Sequence, residues 1–117
     1  MNIVIAVTIE WDREEWEEAI FGSGCLSYPW WVSVERHGNT VLAGEPVWKV
    51  TWTDPDSTAP YLITESRYLT AHDLAVNAGK LAATRPSLSS ALTDHDLDAD
   101  AADLILQQTV FGEVIYG

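Results

Sequence analysis

Two segments near the middle of the chain alternate large apolar and polar side chains, and this alternation constrains the fold more than any other feature. Residues 30–36 and 47–53 each place tryptophan or valine at every second position, with mostly polar side chains between them. A period of two is typical of a β-strand with one buried face. Turn-forming residues follow each segment, at 37–39 and at 54–57. The pattern therefore predicts two neighbouring antiparallel strands.

Two shorter apolar segments extend the predicted sheet. Residues 3–9 are rich in β-branched side chains and contain no breaker, and residues 61–64 form a short apolar run after the second turn. Side chains of this kind are enriched in strands. We expect one mostly antiparallel sheet of about four strands, including the N-terminal one, with one face polar enough to meet solvent.

The first helix has clear start and stop residues. Asp12 is a preferred N-cap residue, and Glu15 stands three residues later as a capping-box partner. Trp11 and Trp16 occupy the two positions of a hydrophobic staple. We expect the helix to begin after Asp12 and to end at the glycines of residues 22–24.

The rest of the chain is predicted to be helical. Residues 70–73 repeat the capping-box pattern, and residues 87–92 favour a short helical segment. Asp98 or Asp100 caps a last helix that ends at Gly112. The predicted fold class is α+β: a single acidic domain over residues 1–117, in which two to four helices pack on one face of the sheet in two layers.

The charge of the chain is strongly one-sided. It carries 18 acidic and six basic side chains, a formal net charge of −12. Residues 1–29 hold six acids and one base, and residues 94–117 hold six acids and no base. Direct binding of nucleic acid is not expected, since it depends on Lys and Arg neutralising phosphates. An acid excess instead favours a protein partner with a basic surface.

Candidate interaction residues follow from these two acidic zones. The first helix is expected to bury Trp16 and to leave its glutamates facing water. The acidic candidates are Glu14, Glu17, Glu18, Asp94, Asp96, Asp98 and Asp100.

Six tryptophans are unusual in 117 residues. Most are expected in the core, where cross-strand aromatic pairs stabilise a sheet. Trp31 shares its predicted face with Ser33 and Glu35, so it is the tryptophan that we expect to be most exposed. An exposed tryptophan is a typical interface anchor, and Trp31 is therefore a further interaction candidate.

A metal site is not expected, although residues 94–100 contain four aspartates. Asp96, Asp98 and Asp100 imitate the start of a calcium-binding loop, but the required glycine and bidentate glutamate would fall on Ala101 and Gln107. The simpler interpretation is an acidic loop and helix N-terminus, where carboxylates are favoured by the helix dipole. We expect neither a metal nor another cofactor.

No catalytic residue is assigned from the sequence. The histidines lack a serine or cysteine partner in a recognisable nucleophile motif. A catalytic hypothesis would require a concavity that holds at least two of His72, His95, Asp73 and the first-helix glutamates in contact with one another.

The expected location is the cytoplasm, without a membrane association. No apolar run approaches the ~18–20 residues of a membrane span. The apolar N-terminal segment lacks the basic flank of a signal peptide. Cys25 is the single cysteine, so no internal disulfide can form, and we expect it to be a small, semi-buried apolar residue.

Three stretches carry a resemblance to a known family. They are residues 16–30, residues 68–78 and the C-terminal residues 102–117, which end in Phe-Gly-Glu-Val-Ile-Tyr-Gly. They resemble a family of small uncharacterised proteins encoded by actinobacterial phages, whose members often end in an Asp-rich, Gln-containing helix followed by a similar motif. The resemblance implies a phage origin and the cytoplasm of an infected host. The family has no established activity, so it implies no site residue.

Three functions remain open at this point. The first is a non-enzymatic phage accessory protein of the host-takeover or anti-defence type, which binds a host or phage protein, with acidic mimicry of nucleic acid as one form of it. The second is a small-molecule or nucleotide-binding protein that uses the tryptophans near residues 22–31 as a stacking pocket. The third is a self-associating domain that forms a homodimer.

Overall fold

The computed structural model describes residues 2–6, 9–42 and 44–116, and it divides into two compact units. Met1–Cys25 and Ala71–Gly117 form one, here called the helical unit, and Leu26–Thr70 form the other, the sheet unit. The α+β class is confirmed, with four helices and antiparallel strands. The single-domain organisation stays a prediction. Within the described ranges, no helix is long and apolar enough to cross a membrane.

The helical unit contains two short strands and four helices. These are β1 (Asn2–Ala6), β2 (Ile9–Asp12), α1 (Arg13–Phe21), α2 (Ala71–Ala82), α3 (Pro86–Thr93) and α4 (Ala99–Phe111). Helix α2 packs against β1 and α4, and α1 packs against α4. The elements at the two ends of the chain therefore share one core.

The strand predicted over residues 3–9 is two strands in the structure. β1 and β2 pair antiparallel, from Asn2 opposite Asp12 to Ala6 opposite Ile9. No glycine, proline or asparagine marks a turn there, which is why the pattern indicated one continuous strand. Val7 and Thr8, which fall between the paired ends, lie outside the described residues. This pair is a sheet of its own, so the expected single four-stranded sheet is replaced by a two-stranded and a three-stranded sheet.

The predicted hydrophobic staple lies at the centre of the helical unit. The rings of Trp11 and Trp16 meet edge to face, with centroids 5.3 Å apart. Both side chains are buried, and each indole N–H finds a carbonyl 3.0 Å away: that of Leu92 for Trp11, and that of Ala71 for Trp16. Buried indoles with satisfied N–H groups fix neighbouring elements in place. The staple thus joins the start of α1 to α2 and to the end of α3.

The predicted helix ends are largely confirmed. The Asp12 side chain accepts from the amides of Glu14 and Glu15, and α1 ends at Gly22. Of the two candidate caps for the last helix, Asp98 is the N-cap of α4, accepting from the Ala101 amide at 2.8 Å. The short segment predicted at 87–92 is α3, which runs from Pro86 to Thr93.

A left-handed glycine ends α4 and directs the last residues back along it. Gly112 has φ 77°, a conformation that glycine adopts without strain. The fully buried Gln107 side chain accepts from the amides of Ile115 and Tyr116, at 2.9 and 2.8 Å, and donates to the Tyr116 carbonyl and to Asp103. The tail docks through a buried amide side chain, and residues 113–116 form no strand.

The sheet unit is an antiparallel meander in the order β3-β4-β5. Its strands are β3 (Trp31–Leu42), β4 (Glu45–Thr53) and β5 (Thr64–Leu69). The strand predicted at 47–53 is confirmed as β4. The turn predicted at 37–39 is wrong, since these residues lie within β3. The pairing of β3 with β4 shifts its register there, between His37 and Val41.

The strand predicted at 61–64 is also misplaced, because it begins only at Thr64. The residues before it form a loop that is closed by its own hydrogen bonds. The Asp54 amide donates to the Ile63 carbonyl at 2.7 Å, and the Ser57 hydroxyl donates to the Asp54 carbonyl and accepts from the Ile63 amide. Loop closure thus uses backbone groups that a strand at 61–63 would need for pairing.

The prediction that Trp31 is exposed is wrong, because only 6% of its surface is accessible. Trp31 lies opposite Trp52, but Ser33 lies opposite Thr51, so Val32 is an extra residue in β3. Such a β-bulge shifts the side-chain alternation by one position. It turns Trp31 inward and leaves Val32 exposed, which reverses the faces that strict alternation predicts.

Candidate functional site

The two acidic zones of the sequence meet in the helical unit. Oε1 of Glu15, on α1, lies 2.5 Å from Nδ1 of His95, in the loop between α3 and α4. The His95 ring stacks on Trp11, with centroids 4.2 Å apart and planes within 2° of parallel. One carboxylate–imidazole contact and one ring stack therefore connect the first acidic zone to the second.

Local backbone structure presents His95 to α1. Asp94 is the C-cap residue of α3, and His95 follows with φ 54°, in the left-handed region. The Asp96 amide then donates to the Ala91 carbonyl at 2.9 Å, which closes the turn. A non-glycine residue at positive φ is uncommon, and here the ring stack and the Glu15 contact accompany it.

A groove opens beside this contact. It encloses about 370 Å³ between α1 and the loop that follows α3. It is lined by three carboxylates, those of Glu15, Glu18 and Asp96, and by the imidazole of His95. The other lining residues are Trp11, Ala19, Gly22, Ser23 and Leu97. The groove thus combines three carboxylates with apolar side chains.

A second, smaller concavity adjoins the groove through Asp96. It encloses about 230 Å³ and includes Asp98 and Asp100, with Arg85 as a basic residue in its lining. We call the carboxylates of the two concavities the acidic face: Glu15, Glu18, Asp96, Asp98 and Asp100. Four of these five, all except Glu15, are among the interaction candidates predicted from the sequence.

The charge of the chain is concentrated in the unit that carries this face. The helical unit holds thirteen of the 18 acidic residues and three of the six basic ones. One of those bases, Arg13, forms an ion pair with Glu17, with Nε and Oε1 3.4 Å apart. The sheet unit, with five acids and three bases, is close to neutral.

Six of the eight predicted interaction candidates are exposed, and they divide into two groups. Glu18, Asp96, Asp98 and Asp100 line the two concavities. Glu14 and Asp94 are exposed but line neither. Asp98 also serves as the cap of α4, so its carboxylate is partly committed to the backbone.

Glu17 and Trp31 do not lie where the sequence placed them. The expectation that Glu17 faces water is wrong, because it is 6% exposed and paired with Arg13, on the turn of α1 that also buries Trp16. Trp31 is buried in the sheet unit. Neither side chain is available on the surface as an interaction anchor.

The groove meets the geometric condition of the catalytic hypothesis, since His95 and Glu15 are in contact within it. A carboxylate beside one imidazole nitrogen orients the ring for proton transfer. Ser23 contributes a hydroxyl to the lining of the groove. This hydroxyl donates to the Ile20 carbonyl at 2.9 Å and accepts from the Cys25 amide. It is therefore engaged in the turn after α1.

Across the residues that the structure describes, no three histidine, cysteine, aspartate or glutamate side chains gather at ligand distances. The aspartates of 96–100 belong to a loop and a helix start, and Gln107, at the position of the missing calcium ligand, binds the C-terminal tail.

Cys25 is fully buried at the end of the turn after α1. Burial raises the pKa of its thiol, and the negative charge of Asp103 raises it further, against opposing hydrogen bonds from Ser23 and the backbone. The Sγ atom donates to the Ile20 carbonyl at 3.2 Å. A neutral, buried thiol is a packing residue, as the sequence indicated.

Three residues connect the acidic zones: Trp11, Glu15 and His95. The sequence pattern gives Trp11 and Glu15 only local roles at the start of α1, and it names a contact of His95 with the first-helix glutamates only as a condition of the catalytic hypothesis. The Glu15–His95 contact spans 80 positions in the sequence, and no periodicity or capping pattern encodes a contact of that range. The sequence shows two separate acidic zones but does not specify whether they share a surface.

Comparison of the chain with protein-family models, with curated proteins and with solved structures finds no match. Function is therefore inferred from the acidic face itself.

Proposed function

We propose that this chain is a non-catalytic phage accessory protein that uses its acidic face to bind a basic surface of a host or phage protein. The observation that carries the proposal is the contact between α1 and the loop after α3, which brings carboxylates from both acidic zones into two adjoining concavities. Five carboxylates so placed attract Lys and Arg side chains, which donate charge-assisted hydrogen bonds to them.

The charge distribution supports a basic partner. An excess of carboxylates on one unit produces a field that accelerates the approach of a positively charged surface and that salt screens. A protein surface that normally binds nucleic acid is positively charged, because it must neutralise phosphates. Acidic mimicry of nucleic acid is the form of the proposal that this geometry favours.

A nucleotide ligand fits the same site poorly. The groove is lined by Glu15, Glu18 and Asp96, so phosphates would meet three like charges there. A tryptophan pocket was expected near residues 22–31, but Trp31 is buried in the core and cannot stack on a ligand. A ligand of this groove is expected to be cationic.

A matched pair of variants tests the role of the face. Glu18→Gln/Asp96→Asn/Asp100→Asn removes three charges from it, and Glu35→Gln/Asp56→Asn/Glu113→Gln removes three exposed charges elsewhere. The binding of a fluorescently labelled Lys/Arg-rich peptide is measured by anisotropy over a salt series. We expect the first variant to weaken binding by roughly tenfold, because three charge pairs with the peptide are lost. The second variant should weaken binding much less, because its charges lie outside the acidic face.

Equal losses in the two variants would show that only net charge matters and would refute a specific face. For mimicry, the assay is competition: a DNA-binding protein of the host is loaded with labelled duplex, and the chain is added. Release of the duplex by the natural sequence, but not by the acidic-face variant, is the expected result. Retention of the duplex by every basic protein tested would remove mimicry and leave the peptide result to decide on a basic partner.

A further inference from the structure

The outer edge of β5 is open to another strand. β5 is the last strand in the order β3-β4-β5, and in the described part of the chain no strand pairs with its far side. Its first five residues are all exposed. An edge strand of this kind presents free backbone N–H and C=O groups to any chain that can pair with them.

β5 is a more regular edge than β3. It pairs with β4 over six successive residues without a register shift. β3, at the opposite edge, is interrupted by shifts between Trp31 and Ser33 and between His37 and Val41. Bulges blunt a strand edge, so β5 is the edge of this sheet that remains suited to pairing.

The side chains of β5 are complementary to themselves. We propose that β5 pairs antiparallel with β5 of a second copy of this chain, about a twofold axis at Ser66. In that register Glu65 lies opposite Arg67 of the partner subunit, and Arg67 opposite Glu65 of the partner subunit, which gives two cross-strand ion pairs. Thr64 lies opposite Tyr68 of the partner subunit, an aromatic and β-branched pair of the kind that stabilises antiparallel sheets.

The charges on β5 also exclude the neighbouring registers. A twofold axis at Glu65 places two carboxylates opposite each other, and an axis at Arg67 does the same with two guanidinium groups. An axis between two residues is excluded by the pleat, because it would place side chains of opposite faces opposite each other. Like charges directly opposite are unfavourable in a sheet, so the sequence of β5 specifies the register centred on Ser66.

Exposed apolar side chains accompany this edge. Tyr68 is 49% exposed, and Ile63, just before β5, is 55% exposed. In the proposed pairing both lie beside the partner strand and lose contact with water. The sheet unit is also close to neutral, so two sheet units can approach with far less repulsion than two helical units.

A charge-swap series on the full chain tests the pairing by sedimentation velocity over a range of concentrations. The natural sequence is expected to form a dimer. Arg67→Glu should weaken the dimer at least tenfold, because both ion pairs become carboxylate pairs. Glu65→Arg/Arg67→Glu should restore it to within about threefold, since the pairs are exchanged but kept. Arg36→Glu makes the same change of charge on β3 and should leave the dimer unchanged.

A cross-link provides a readout that does not depend on charge. Ser66→Cys places a thiol opposite its own copy and should form an intermolecular disulfide much faster than Ser87→Cys, an exposed thiol in the helical unit. A natural chain that stays monomeric at every concentration overturns the proposal. So does a dimer that Arg67→Glu leaves intact, one that the double variant fails to restore, or equal cross-linking of the two cysteine variants.

Discussion

Replacing Gln107 by alanine is expected to release the C-terminal tail and to lower the free energy of unfolding. The buried side chain accepts from two tail amides and donates to the Tyr116 carbonyl at 3.1 Å and to the Asp103 carboxylate at 2.6 Å. A net contribution of about 1 kcal/mol for each of these four bonds gives a sum near 4 kcal/mol. Because the freed tail can bond to water, we expect a loss of about 2–4 kcal/mol.

Gln108→Ala is the matched control for this change. It removes the same side chain from the next position of α4, where the amide makes one exposed hydrogen bond to the Gly112 carbonyl at 3.0 Å. Surface substitutions of this type change stability by about 0.5 kcal/mol or less. The difference between the two variants isolates the buried clamp from the helix propensity of alanine.

Urea unfolding followed by tryptophan fluorescence measures both variants, and hydrogen exchange at the Ile115 and Tyr116 amides reports tail release separately. Gln107→Glu adds a second measurement, since it keeps the acceptor oxygens but loses both donations and places a carboxylate beside Asp103. It should be as unstable as the alanine variant at neutral pH and recover in acid. If Gln107→Ala unfolds within about 0.5 kcal/mol of Gln108→Ala, the clamp does not hold the tail and the reasoning fails.

Two further predictions concern packing and ionisation in the helical unit. Gly79→Ala should lower stability by about 1–3 kcal/mol, despite the better helix propensity of alanine, because its Cβ would lie 2.8 Å from the Ile5 carbonyl oxygen. Calorimetry should show no comparable loss for Gly38→Ala, whose Cβ has room, and equal melting temperatures would contradict a close approach of α2 to β1. The raised pKa of Cys25 makes its contribution to stability complete below the pH, about 8.5, at which an unfolded thiol ionises. As the pH rises from there through the folded pKa, this contribution is lost. The free energies of unfolding of the natural chain and of Cys25→Ala, measured with urea at several pH values, should therefore converge in alkali. A difference that stays constant with pH would refute this prediction.

Much of the helical structure could be predicted because its determinants are local. Asp12 and Asp98 cap the helices that follow them, and Gly112 ends the last one, as the sequence indicates. The Trp11–Trp16 staple forms within a single helix start. Each of these features depends on residues a few positions apart, whose geometry is set by the backbone of one element.

The strands were harder to predict, because pairing decides where they begin and which face they bury. The bulge at Val32 reverses the predicted faces of Trp31 and Val32, and no residue type there indicates it. The strand expected at 61–64 was displaced to Thr64–Leu69, where continuous pairing with β4 is available. An alternating pattern indicates a strand but leaves its register to the partner.

The candidate site divides in the same way. Composition and charge distribution established that the chain is strongly acidic and that its carboxylates concentrate near both ends. Whether those two zones share a surface depends on a contact between Glu15 and His95, and whether a given glutamate faces water depends on neighbours such as Arg13, which pairs with Glu17. The Glu15–His95 contact joins residues that are 80 positions apart, so only the tertiary structure decides it. The Arg13–Glu17 pair lies within one helix, and there only the burial of that side of α1 decides that Glu17 does not face water.

The sequence by itself determined the helix caps, the α+β class and the amount and rough location of negative charge, all of which follow from local conformation or from counting. The tertiary structure decided that the acidic zones meet, that Trp31 is buried and that Gln107 binds the tail. Each of these depends on packing between elements, where one inserted residue or one long-range hydrogen bond changes which side chains reach the surface.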